Sequence, residues 1–269
     1  PSFARAFHPR VTDARADYRR ASHAPVGGHR PPAANRFLDG MQMVFTNWVS
    51  KEPGAAAAPL HVDWTFVDEE RYPSVSIWSP LVDTDESTGC MGVVDGSHRE
   101  VRFIRAAANP TYQETDAFGR SLEGAHLVPL RAGQALVFDH RLVHFSTEHH
   151  GDATRVAVTC EFVPEEAELL HFEQIAPGRF RRHVVEPRFF TTYAAGTDPV
   201  EQPGHLSVEE VDGPGFSWEP PDEPADAVVS PDVGAPDAEE RLRGRELWWY
   251  RVARVVPRRI RRALRPARP

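Results

Sequence analysis

Three groups of residues in this chain could do chemistry together. The first is His61-Val62-Asp63. In an extended strand, residues i and i+2 point the same way, so one imidazole and one carboxylate can reach a single ion. The second is a later histidine in "LRAGQALVFDHRLVHFSTEHHGDATRVAV", where a glycine turn leads into an apolar strand. His140 and His144 share a face in period-two terms, so spacing alone leaves both open as the distal ligand. Two imidazoles and one carboxylate leave free coordination positions, a donor set typical of non-haem Fe(II) oxygenases and also used by zinc. The third is Arg155, which on the inward face would neighbour Ala157 and Thr159, small residues that leave room for a ligand. A buried guanidinium needs an anion, and a dicarboxylate cosubstrate would meet it in bidentate fashion. An ion pair with Glu161 is the structural alternative.

Strands must position these groups. From Met41 the chain runs in short β-branched and aromatic stretches broken by turn residues: "MQMVFTNWV", "SVSIWSPLV", "MGVVD", "HLVPL", "ALVFD" and "RVAVTCEFV". In the last, Val156, Val158, Cys160 and Phe162 take one face, and Arg155, Ala157 and Thr159 the other. Many short strands without crossover helices predict a sandwich, barrel or jelly roll and argue against a parallel βαβ sheet. The spacing also predicts a short helix over 13–21.

The rest of the chain divides by charge. The 269 residues carry a net charge of -8, which argues against nucleic-acid binding. Cys90 and Cys160 have no CxxC partner and read as reduced core residues, which with the lack of a signal-peptide core predicts a cytoplasmic protein. Lys51 is the only lysine. Residues 1–195 are expected to form the catalytic domain. Residues 196–237 read as an acidic, proline-rich linker or wrapping arm, since 198–240 hold no lysine or arginine. Residues 238–269 reverse sign; Trp249, Val252, Val256, Ile260 and Leu264 are spaced for a basic amphipathic helix, which raises peripheral membrane contact as an expectation. The loop 105–123 and the first forty residues are expected to cover the mouth of the site.

Three stretches in order resemble the phytanoyl-CoA dioxygenase-like (PhyH) family of Fe(II)/2-oxoglutarate-dependent oxygenases. "NWVSKEPGAAAAPLHVDW" is similar to its strand, Lys-Pro loop and HxD motif. "IWSPLVDTDESTGCMGVVDGSHR" is similar to its tryptophan, polar loop, Gly-Cys strand and Gly-Ser-His turn, with Asp95 where the family usually has proline. "GQALVFDHRLVHFSTEHHGDATRVAV" is similar to its distal segment. The resemblance implies a mainly β, double-stranded β-helix (jelly-roll, cupin-like) core with a few flanking helices. It makes His61, Asp63 and His144 the iron ligands, preferring His144 to His140 by its separation from Arg155. Arg155 becomes the partner of the 2-oxoglutarate C5 carboxylate, Trp78 a neighbour of the cosubstrate, and Asn47 a contact from the early strand. The Gly96-Ser97-His98 turn reads as structural.

The implied cofactors are Fe(II), 2-oxoglutarate and O2, and the implied reaction is a hydroxylation or related oxidation of a small-molecule or lipid-like substrate. Retention of Asp63 argues against halogenation, since related halogenases replace that carboxylate. A zinc or manganese cupin-type hydrolase or isomerase could use the same three side chains, but would need neither Arg155 nor Trp78 in that register.

Overall fold

The computed structural model describes residues 8–9, 38–107 and 125–213. The predicted helix over 13–21, most of the loop 105–123 and the basic tail therefore lie outside the described residues.

Two antiparallel sheets form the core. The first has the order β1-β2-β9-β4-β7, built from His8–Pro9 (β1), Met41–Lys51 (β2), Val75–Pro80 (β4), Leu136–Asp139 (β7) and Arg155–Pro164 (β9). The second has the order β3-β8-β5-β6, built from Ala58–His61 (β3), Met91–Val94 (β5), Ala125–Val128 (β6) and His144–Ser146 (β8). They pack face to face, because one buried cluster joins Trp78, Leu136, Phe138 and Ala157 of the first to Met91, Val93 and Val128 of the second. Strands that neighbour in space but not in sequence, closed into two facing sheets, make a double-stranded β-helix, as the family resemblance implied.

The alternation in β9 is the one its sequence predicts. Val158, Cys160 and Phe162 pack outward with Val75, Val137 and Met41, while Ala157 joins the inter-sheet core. The outward face of the first sheet is thus apolar, while its inward face mixes apolar and polar residues. Pairing carries the inward row across it: Glu161 opposes Ser76, and Thr159 opposes Trp78 on one side and Asn47 on the other. A β-bulge between Met43 and Phe45 sets the phase of β2. Met43 packs with the outward cluster, yet Phe45, Asn47, Val49 and Lys51 oppose the inward residues Glu161, Thr159, Ala157 and Arg155. Cys90 and Cys160 are free and buried, as expected.

A third sheet, β10-β11-β12, follows: Leu169–Ala176, Arg179–Val185 and His205–Asp212. A short helix, α1 (Pro187–Thr192), seats Phe189 and Phe190 among Val44, Phe45, Phe66 and Leu169. Past residue 196, where an acidic linker or wrapping arm was expected, β12 pairs back onto β11. Its acids find partners upstream: Glu209 pairs with Arg182 at 2.7 Å and Glu210 with Arg179 at 2.5 Å. Each exposed pair contributes little. The backbone ladder to β11 and burial of Val211 against Phe180 hold the strand.

Candidate active site

His61 closes β3, and Val62 turns outward into a cluster with Val94, Val101, Phe103 and Val143. That anchors the strand phase, so His61 and Asp63 both face the space between the sheets. His144 opens β8 and directly opposes His61 in the β3–β8 register. The ring centroids are 4.1 Å apart. Each imidazole is oriented by a carbonyl two residues upstream: His61 Nδ1 donates to Pro59 O at 2.8 Å, and His144 Nδ1 to Leu142 O at 2.9 Å. A carbonyl only accepts, so Nδ1 carries a proton in both rings and Nε2 is the nitrogen turned toward a ligand. His144 Nε2 lies 3.8 Å from Asp63 Oδ1.

Electrostatics favour the ligating forms. Burial, then the neighbouring His144, brings His61 down to about 4, against the pull of Asp63, so it is neutral near pH 7. Burial opposes ionisation of Asp63, but His144, His140 and the Ser76 hydroxyl outweigh it and hold the carboxyl below its usual range. Ser76 Oγ donates to Asp63 Oδ2 at 2.6 Å, and the Asp63 amide donates to His140 O at 3.0 Å. Among the described residues no three His, Cys, Asp or Glu side chains are already gathered tightly enough to hold an ion as they stand. The β3–β8 register sets His61 beside His144, and the Asp63 carboxylate lies 3.8 Å from His144 Nε2.

His140 is placed differently. A turn in which Leu142 N–H bonds Asp139 O separates it from β8, so the shared-face argument linking it to His144 does not apply. It is fully buried, packs edge-on against Phe66, and lies 3.0 Å from Glu161 Oε2. Burial pushes Glu161 up and opposes the charging of His140, but Glu161 raises His140 on balance. Glu161 is therefore engaged by His140 and by the Ser76 hydroxyl, and is not the partner of Arg155.

Arg155 opens β9 and is 2% exposed. Among the described residues its buried Nε and Nη1 have no hydrogen-bond partner, and no acid forms an ion pair with it. Its guanidinium lies 5.6 Å from the centroid of the Trp78 ring. Burial lowers it to about 10, leaving it charged at neutral pH. Trp78 is both a core aromatic and a neighbour of Arg155, since it also packs on Leu136 and Ala157. Asn47 is half-buried and stands across Thr159 from Trp78.

The structure also brings in residues the sequence reading missed or misplaced. Arg105, expected at the edge of a surface loop, is 1% exposed. Its Nε donates to Asp63 O at 2.7 Å and Nη1 to Glu69 Oε2 at 2.6 Å, bracing the backbone of the HxD turn. Nothing in "FIRAAA" signals this. Ser76 was legible only as a strand residue. The Gly96-Ser97-His98 turn is structural, as read: Ser97 Oγ donates to Val94 O and accepts from Val143 N–H, each at 2.9 Å.

The sequence matches the phytanoyl-CoA dioxygenase (PhyH) family over residues 5–157, more than half of the chain. The chain belongs to the PhyH family. That family uses Fe(II), 2-oxoglutarate and O2. A curated relative, phytanoyl-CoA dioxygenase domain-containing protein 1 of Danio rerio, is 27% identical over 127 residues, and the match covers 44% of each chain. This PhyH chain thus spans less than half the length of that relative. Among solved structures it is similar to EvdO2 from Micromonospora carbonacea var. aurantiaca complexed with 2-oxoglutarate, with 25% identity, 48% of this chain and 56% of that one covered, and a TM-score of 0.41. It is also similar to the epimerase SnoN in complex with Fe3+, alpha ketoglutarate and nogalamycin RO, with 20% identity, 70% and 71% coverage and a TM-score of 0.48. Among the described residues of this PhyH chain, no helix is long and apolar enough to cross a membrane.

Proposed function

We propose that the chain is an Fe(II)- and 2-oxoglutarate-dependent oxygenase that hydroxylates, or otherwise oxidises, a small-molecule or lipid-like substrate. His61, Asp63 and His144 would hold the iron, and Arg155, with Trp78 and Asn47 beside it, the cosubstrate. One observation carries the cosubstrate half: a guanidinium 2% exposed, with two buried nitrogens that find no hydrogen-bond partner among the described residues. A buried charge left unpaired is expensive, so Arg155 calls for an anion. The donor set of two imidazoles and a carboxylate fits Fe(II). When bound, iron and cosubstrate supply the oxidation, with 2-oxoglutarate and O2 converted to succinate and CO2.

The chain's own residues do the positioning. The Pro59 and Leu142 carbonyls fix both imidazoles with Nε2 forward. Ser76 and Arg105 hold the Asp63 carboxylate and its backbone. Phe138 packs 5.0 Å from the His144 ring and keeps water from that side. The carboxylate at position 63 occupies the place a halide would need, which favours hydroxylation or a related oxidation over halogenation. A zinc or manganese hydrolase on the same three side chains would leave Arg155 without a role.

The test is the visible spectrum of the protein with Fe(II) and 2-oxoglutarate under anaerobic conditions. A weak charge-transfer band is expected in the wild type, lost in Asp63→Ala and requiring far more cosubstrate in Arg155→Ala. A wild-type protein that shows no band but binds zinc tightly would overturn the reading.

A further inference from the structure

Lys51 is buried, and it stands directly opposite Arg155 in the β2–β9 register. Both side chains press against the same glycine: a Cβ on Gly89 would lie 2.9 Å from Lys51 Cδ and 3.6 Å from Arg155 Nε and Nη2. Gly89 has φ +75, which also favours glycine. Lys51 Nζ donates to Ala56 O at 2.8 Å and to Thr147 O. An ammonium has three hydrogens, so one remains. Among the described residues neither cation makes an ion pair. Two buried positive charges side by side repel each other, and folding would select against that arrangement unless something anionic joined them.

We infer that Lys51 is a second cationic partner of the cosubstrate, sharing the distal carboxylate of 2-oxoglutarate with Arg155 and fixing the length of dicarboxylate the site accepts. This rests on the oxygenase reading above and assigns a role to the chain's single lysine. The two carbonyls hold Nζ in place and supply dipoles but no charge, so the lysine is positioned and its charge left for a ligand. The carboxylate would gain a bidentate contact from Arg155 and a point charge from Lys51. The Gly89 backbone, having no side chain, leaves the approach open.

The charges around Lys51 set its behaviour with pH. Burial and then Arg155 lower it to about 8, against weaker pulls from Glu148 and from Cys90, whose thiol burial raises. An anion bound beside it favours the protonated form. Affinity is therefore flat below pH 8 and falls up to about tenfold per pH unit above it, as binding must recruit a proton.

The experiment is anaerobic binding to the Fe(II) protein, comparing 2-oxoglutarate with 2-oxovalerate, which keeps the chelating 2-oxoacid but lacks the distal carboxylate. Lys51→Met is expected to weaken 2-oxoglutarate about ten- to hundredfold with 2-oxovalerate almost unchanged, and Lys51→Arg to recover much of the loss. Equal weakening of both acids, or of neither, would make Lys51 a structural clamp and overturn the inference. If Lys51→Met does not fold, the wild-type pH series decides: loss of 2-oxoglutarate affinity above pH 8 without loss of 2-oxovalerate affinity supports the pairing, and parallel curves overturn it. A wild-type protein that binds 2-oxovalerate and 2-oxoglutarate equally well would also overturn it. One that binds neither acid defeats the oxygenase reading itself.

Discussion

His61 and His144 face each other across the β3–β8 pair, each with its Nδ1 proton spent on a carbonyl two residues back. The two orienting bonds are equivalent, so both rings present the same nitrogen before any ion arrives. His140, only four residues from His144, is bound instead to the Ser76–Glu161 side of the core. His144→Ala should therefore abolish stoichiometric Fe(II) or Co(II) binding. His140→Leu should keep the stoichiometry yet lower stability by about 1–3 kcal/mol, since it strips Glu161 of a partner. Metal titration alongside urea unfolding separates the two.

Arg105 and Glu69 form a buried ion pair whose cation also bonds the Asp63 backbone. Arg105→Met alone leaves Glu69 uncompensated and should cost about 3–5 kcal/mol. The double replacement Arg105→Met/Glu69→Met should recover much of that stability, but not the metal affinity, because the HxD turn has lost its brace. Chemical denaturation and competitive metal titration of both variants check this.

Gly92 sits under the ring of Phe145 on the neighbouring strand; a Cβ there would lie 2.1 Å from the ring's Cζ. Gly92→Ala should destabilise by about 1–3 kcal/mol through overpacking. Adding Phe145→Ala should relieve the clash, so the double variant should melt less than additively below wild type.

The third sheet carries a pH dependence of its own. His171 is enclosed by Phe189, Phe190 and Tyr193, and burial, then His183 and His205, bring it down to about 3. The unfolded chain binds a proton near pH 6.5 that the folded chain refuses until far lower, so stability rises with pH across that window. Acidifying from about pH 6 toward 4 should cost about 1.4 kcal/mol per unit from this residue. His171→Phe should flatten that slope in urea titrations.

Much of the site was legible before the fold. The HxD spacing and the inward arginine follow from period-two reasoning in strands, the family resemblance preferred His144 to His140, and β9 alternates as its sequence says. Where that reasoning failed, a partner distant in sequence was responsible. The acidic stretch after residue 196 lacks local cations, but β11 supplies arginines 27 and 31 residues upstream and gives the segment a strand to join. Arg105 resembled a loop residue because its carboxylate partner is 36 residues away.

By itself, then, the sequence determined the donor types, the strand periodicity and the family, because these depend on residue identity and near-neighbour spacing. The tertiary structure decided which of two histidines faces His61, by breaking the strand at the Asp139–Leu142 turn. It set Asn47 opposite Thr159 and Lys51 opposite Arg155, by a one-residue bulge that reverses the phase of β2. And among the described residues it left Arg155 without an acid, by giving Glu161 to His140 and Ser76. A turn, a bulge and a choice of ion-pair partner are each settled by packing between segments remote in sequence, where local pattern carries no information.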